Sequence, residues 1–209
     1  MASAGKRASG PGDESDARDM KARGVAIVAQ TLEAAAALHQ RVRGLDLGPV
    51  VAAGEAIRTA LASGHKVLAF GNGGSAADAQ HLTTELVGRF QKDRTGFAAV
   101  PLTADASLLT SVANDYGFER VFARQIEALG RPGDVAFAIS TSGASPNVVR
   151  ALEAARDQGL RTIALTGRDG GAAGTIAEIH INVPDAVTAR VQEVHITLIH
   201  AICELVEAE

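Results

Sequence analysis

An apolar run, KVLAF over Lys66–Phe70, passes without a spacer into GNGGSAADAQHLTTE, which ends at Glu85. A short apolar run closed by a glycine turn reads as a strand buried on both faces, and the segment from Ser75 onward has the composition of a helix. A strand, a tight turn and a helix in that order form the repeating unit of a parallel α/β fold. Gly71, Gly73 and Gly74 let the backbone turn sharply and present its N–H groups, and Ser75 reads as the helix cap with a hydroxyl free for a phosphate. Further along, His81 and Glu85 stand at i and i+4 and share one face. They lie about 9–15 Å from the loop. The junction thus joins an anion pocket to an acid/base pair, and a phosphorylated small molecule is the ligand class it suggests.

The remaining chain repeats this unit. Two helices come first, over 22–42 and 47–62. Strands are expected over 66–70, 97–101, 134–140, 161–166 and 178–183, with helices over 75–90, 104–129, 145–158 and 188–207 and a glycine-rich turn after the fourth strand. The alternation predicts a three-layer αβα sandwich around a five-stranded parallel sheet with right-handed crossovers. In such sheets ligands bind at the carboxyl ends of the strands where the strand order reverses, which directs attention to the loops after the first and third strands.

Composition narrows the alternatives. With 209 residues, 46% of them hydrophobic, the chain can bury one core, and residues 20–209 read as one domain. Residues 1–19, rich in Gly, Ser, Pro and charge, read as a disordered leader. A net charge of −4 offers no basic footprint for nucleic acid, and no apolar stretch approaches a membrane span. The single cysteine, Cys203, lies in an apolar helical pattern and reads as a buried hydrophobe. A cytoplasmic location fits these features.

Other segments carry chemistry. The third strand ends in AISTSGASPN, which gathers Ser140, Thr141, Ser142 and Ser145 around Gly143, with Ser145 and Pro146 as helix cap and first helical residue. Hydroxyls beside free helix-start N–H groups form an anion nest. Gly71, Gly73 and Ala76 also fit the loose dinucleotide fingerprint, but the acidic residue it requires is represented only by a late Asp105. The last helix carries Gln192, His195 and His200 in an apolar setting. Gln192 and His200 can converge on one site only from its two sides, and the two histidines face apart by about 140°.

Taken together, GNGGSAADAQH, ANDYGFE, GDVAFAISTSGASPNV, IALTGRDGG and RVQEVHITLIH resemble the sugar isomerase (SIS) domain family, and within it the phosphoheptose isomerases. The resemblance runs over residues 22–207 and implies a flavodoxin-like SIS fold. It also implies a homotetramer with sites between subunits, to which the two N-terminal helices contribute a bundle. The implied activity converts D-sedoheptulose 7-phosphate to D-glycero-D-manno-heptose 7-phosphate, often with one Zn²⁺ per site. It assigns Glu85 as catalytic base and His200 as its partner, and His81, Glu85, Gln192 and His200 as metal ligands. Asn72, Gly73, Gly74, Asn114, Asp115, Ser140, Thr141, Ser142, Ser145 and Gln192 fall where substrate is bound, with Ser75 beside the phosphate. Thr84 stands where the family often has a second glutamate. Non-catalytic relatives that bind the replication initiator DnaA lack the pair that Glu85 and His200 form here, and sugar-phosphate sensors of the family usually carry a DNA-binding module, for which residues 1–19 read as too short and too polar.

Overall fold

The structure, a computed structural model, describes residues 11–208. Helices α1 (Pro11–Arg43) and α2 (Gly48–Ala62) precede the sheet. The expected leader over 1–19 is corrected in part: residues 11–19 are the first turns of α1, and residues 1–10 lie outside the described residues. A helix already nucleated further on propagates backwards at little cost, because residues 13–23 contain neither glycine nor proline.

Strands β1 (Val67–Gly71), β2 (Ala99–Pro101), β3 (Val135–Ser140), β4 (Arg161–Gly167) and β5 (Ile179–Val183) form a parallel sheet in the order β2-β1-β3-β4-β5. Between them run α3 (Gly74–Val87), α4 (Ala106–Tyr116), α5 (Ala123–Leu129), α6 (Pro146–Asp157) and α7 (Gly171–Ile176), and α8 (Thr188–Glu207) closes the chain. The short α7 stands where the sequence predicts only a glycine-rich turn; its fully buried residue is the small Ala173, with Ile176 partly buried beside it, too weak an apolar signal to read as a helix. No helix of the described residues is long and apolar enough to cross a membrane.

The strands read as continuous apolar runs because both faces are covered. Val67, Ala69, Val135, Phe137, Ile163 and Leu165 pack under α2, α3, α8 and the end of α1. Leu68, Phe70, Ala136, Ala138 and Ala164 pack under α4, α5, α6 and α7. Because β2 and β3 flank β1, α3 leaves on one face and α6 on the other, and a crevice opens between the two turns.

One close approach fixes that crevice. Gly143, in the turn after β3, has φ +62, and a β-carbon there would lie 2.0 Å from the carbonyl oxygen of Gly170. The obstacle is backbone, so nothing flexible can give way. Gly143→Ala is expected to lower the unfolding free energy by about 2 kcal/mol or more, read as a lower urea midpoint at constant m-value. An unchanged midpoint would mean that the two turns are not pinned together.

Candidate active site

Three helix starts meet at the carboxyl end of the sheet. A cavity of about 270 Å³ is lined by Gly73 and Gly74 at the start of α3, Ser145 at the cap of α6 and Thr188 at the first residue of α8. Ser140, Thr141 and Ile139 form the strand side, and Asn72, Ser75 and Gln192 complete the wall. None of these is Lys or Arg, so what the cavity offers to a negative charge is helix-start N–H groups, hydroxyls and the positive ends of three dipoles. Thr188 carries no local sequence signal; only the tertiary fold brings its helix start here.

The capping expectation for Ser75 is corrected. Gly73, at φ 55, is the N-cap, and Ser75 is already inside α3, buried at 3% exposure. A glycine that adopts a conformation strained for other residues lets the helix begin two residues earlier. Ser145 does occupy the cap of α6 with Pro146 following, yet its hydroxyl makes no cap bond. Instead the Oγ atoms of Ser142 and Ser145 each lie 3.4 Å from that of Ser140. These hydroxyls bond one another where an anion could take their place.

Gln192 turns toward the same pocket, and a β-carbon on Gly74 would sit 2.3 Å from its Nε2. Asn72 has a defined partner that sequence reasoning missed. Its amide pairs reciprocally with that of Asn147, both bonds at 2.8 Å, and Asn147 is 2% exposed. The pair ties the turn after β1 to the start of α6. Asn114 and Asp115 are exposed at the end of α4, bond one another at 2.9 Å and do not line the cavity. Asp105 accepts the N–H of Leu108 as the cap of α4, a structural duty that accounts for it without a dinucleotide.

At the other end of α3 a second cluster forms. Nε2 of His81 lies 3.1 Å from Oε1 of Glu85 and 3.0 Å from Nε2 of His200. One nitrogen atom cannot donate to the carboxylate and accept from the second imidazole at once. A cation shared by all three lone pairs resolves that conflict, and tetrahedral Zn²⁺ at its usual bond lengths sets ligand atoms about 3.4 Å apart. His81, Glu85 and His200, with ligand atoms all within 4.8 Å of one another, therefore fit a divalent metal. Asp78, one turn before His81, also has no distinguishing sequence signal; burial pushes it up to about 6, with His81 partly offsetting.

Known proteins resemble this one in both sequence and fold. A family model described as the SIS domain matches residues 30–167, and the chain belongs to that family. A phosphoheptose isomerase from Geotalea daltonii is 56% identical over 173 residues, covering 81% of this chain and 90% of that protein. The structure of phosphoheptose isomerase GmhA from Neisseria gonorrhoeae superposes with TM-score 0.80 at 44% identity, covering 90% of this chain and 98% of that one. A phosphoheptose isomerase structure from Francisella tularensis gives TM-score 0.85 at 33% identity, over 89% and 99% of the two chains. Within the SIS family, then, this chain is of the phosphoheptose isomerase kind.

The other titratable groups of α8 have internal duties. His195 is fully buried, with Nε2 at 2.9 Å from the carbonyl oxygen of Thr166. Burial pushes Cys203 up to about 12, with Glu85 and Glu207 adding to the effect, so the thiol stays protonated as the sequence suggests. Burial likewise lowers His195 from 6.5 to about 4, against a smaller opposing effect of Thr166. The unfolded chain thus binds more protons than the folded one between pH 6.5 and 4, and the stabilisation present above 6.5 is lost as pH falls through that window. The fall in Tm between pH 7 and 4.5 is expected to be smaller in His195→Gln than in the wild type; equal falls would mean that the ring is not held neutral.

Proposed function

We propose that the protein is a phosphoheptose isomerase that converts D-sedoheptulose 7-phosphate to D-glycero-D-manno-heptose 7-phosphate. The observation that carries this reading is the spacing along α3. A cation-free anion cavity lies at its start, and His81 and Glu85 meet His200 two to three turns on. That arrangement fits a linear sugar held by its phosphate with C1 and C2 at the far end. The retained pair of Glu85 and His200 favours catalysis over the DnaA-binding alternative.

In this mechanism the phosphate rests on the turn Asn72–Ser75, the hydroxyls of Ser140, Thr141, Ser142 and Ser145, and Gln192. The Glu85 carboxylate removes a proton from C1 of the open-chain ketose, and His200 moves a proton at the C1/C2 oxygens as the enediol forms and collapses. Return of a proton at C2 gives the aldose. Zn²⁺ held by His81, Glu85 and His200 would supply Lewis acidity toward the developing enediolate, while Gln192, expected as a fourth ligand, stays with the anion cavity. Asn114 and Asp115 are assigned to sites completed in a homotetramer. In support of an assembly, Met20, Val25, Val28 and Leu32 of α1 are more than half exposed in the single chain, while Leu38 and Val42 near its end are buried.

Incubation with sedoheptulose 7-phosphate in D₂O tests the reading: an aldoheptose phosphate with deuterium at C2 is expected, and binding without conversion would overturn it. Glu85→Gln is expected to abolish turnover with phosphate affinity retained, checked by coupled kinetics and calorimetry. Ser142→Ala should raise KM by the loss of a charge-assisted hydrogen bond of roughly 1–3 kcal/mol, with kcat little changed.

A further inference from the structure

The segment that leaves α3, residues 88–97, is held from the far end of the chain. Glu207, in the last turn of α8, has a side chain only 4% exposed. Its Oε1 accepts the backbone N–H of Phe90 at 3.0 Å, and its Oε2 accepts those of Gln91 and Lys92, both at 2.9 Å. Nε of Arg94 donates to Oε1 at 2.9 Å. Burial alone would raise this carboxyl, yet the three N–H groups and Arg94 outweigh it and hold it at about 2. A carboxylate with four charge-assisted bonds is a rigid anchor.

Both arms of the anchored segment reach the acid/base cluster. The Phe90 ring lies 5.4 Å from the imidazole of His200, centroid to centroid. From the other arm, Arg94 donates at 2.9 Å to the carbonyl oxygens of both Glu85 and Leu86, which the end of α3 leaves without helical partners. Its guanidinium also sits 3.9 Å over the Phe97 ring. Glu207 follows His200 by seven residues, two turns on the same side of α8.

We propose that Glu207 is a positioning residue for Glu85 and His200. It ties residues 88–97 to α8, so that Phe90 fixes the plane of the His200 ring and Arg94 fixes the last turn of α3, from which Glu85 projects. Glu207 touches no reacting atom, and its effect on the reaction is geometric. The roles of Glu85 and His200 are those of the proposed function, on which this inference rests.

Glu207→Gln and Phe90→Leu, made separately and together in the full chain, test it. Each single variant is expected to lower kcat about 10- to 100-fold with KM within about twofold, and the double variant to fall no further than Glu207→Gln alone. In both, the Cε1–H resonance of His200, which senses the Phe90 ring, should shift. If kcat per folded protein and that resonance stay at wild-type values, even with a lower Tm, Glu207 serves stability only and the proposal is wrong. A rise in KM at constant kcat would also overturn it. Phe90→Leu keeps the question open to test should Glu207→Gln fail to fold. An inactive wild type would sink the isomerase reading, while the His200 resonance would still decide the positioning role.

Discussion

The pairing of β1 with β3 is the contact on which the site depends. Five residues of each strand run in register, from Val67 opposite Val135 to Gly71 opposite Ile139, so the turns beyond them emerge side by side. With β2 on the outer flank of β1, one turn leads to α3 on one face and the other to α6 on the opposite face. Two helix starts are thereby aimed at one point, and the reciprocal amide pair of Asn72 and Asn147 holds them there. A hydrophobic sheet core fixes this geometry with no catalytic residue taking part. The site is therefore as rigid as the interior beneath it.

That origin separates the two ends of the site by physical character. At the cavity the positive potential comes from backbone N–H groups, helix dipoles and hydroxyls, none of which titrates near neutrality. At the other end stand two imidazoles and a carboxylate, side chains that can exchange protons or hold a metal ion. The two ends of the site thus rest on different kinds of group.

The sequence discloses what is local. KVLAF ahead of GNGG locates a strand, a turn and an anion site because periodicity and glycine placement act within a few residues, and the span expected for α8, 188–207, is the span it has. His81 and Glu85 are legible because helical spacing brings them together. Three things are not. The N-cap moves from Ser75 to Gly73 because a glycine φ of 55 outweighs side-chain capping preference. Helix α7 has too few apolar residues to announce itself. Thr188, Asn147 and Glu207 meet partners more than 70 residues away in the chain, and no local pattern encodes a contact of that range.

Helix α8 shows why such distant contacts matter. It brings Thr188 and Gln192 to the anion cavity, His200 to the acid/base cluster and Glu207 to the segment beyond α3. Between them Val191, Val194, His195, Ile199, Ile202 and Val206 form the buried stripe that beds the helix on the sheet. Apolar packing resists separation of the helix from the sheet but resists sliding along its axis less, since hydrophobic attraction has no direction. An axial shift of about 1 Å would move Gln192 and His200 together, disturbing both ends of the candidate site in one step. Directional bonds at two points oppose that shift: the His195 ring on the Thr166 carbonyl near the middle, and the Glu207 carboxylate on three backbone N–H groups at the end. The buried polar groups of α8 therefore set the position of a helix that its apolar face merely attaches.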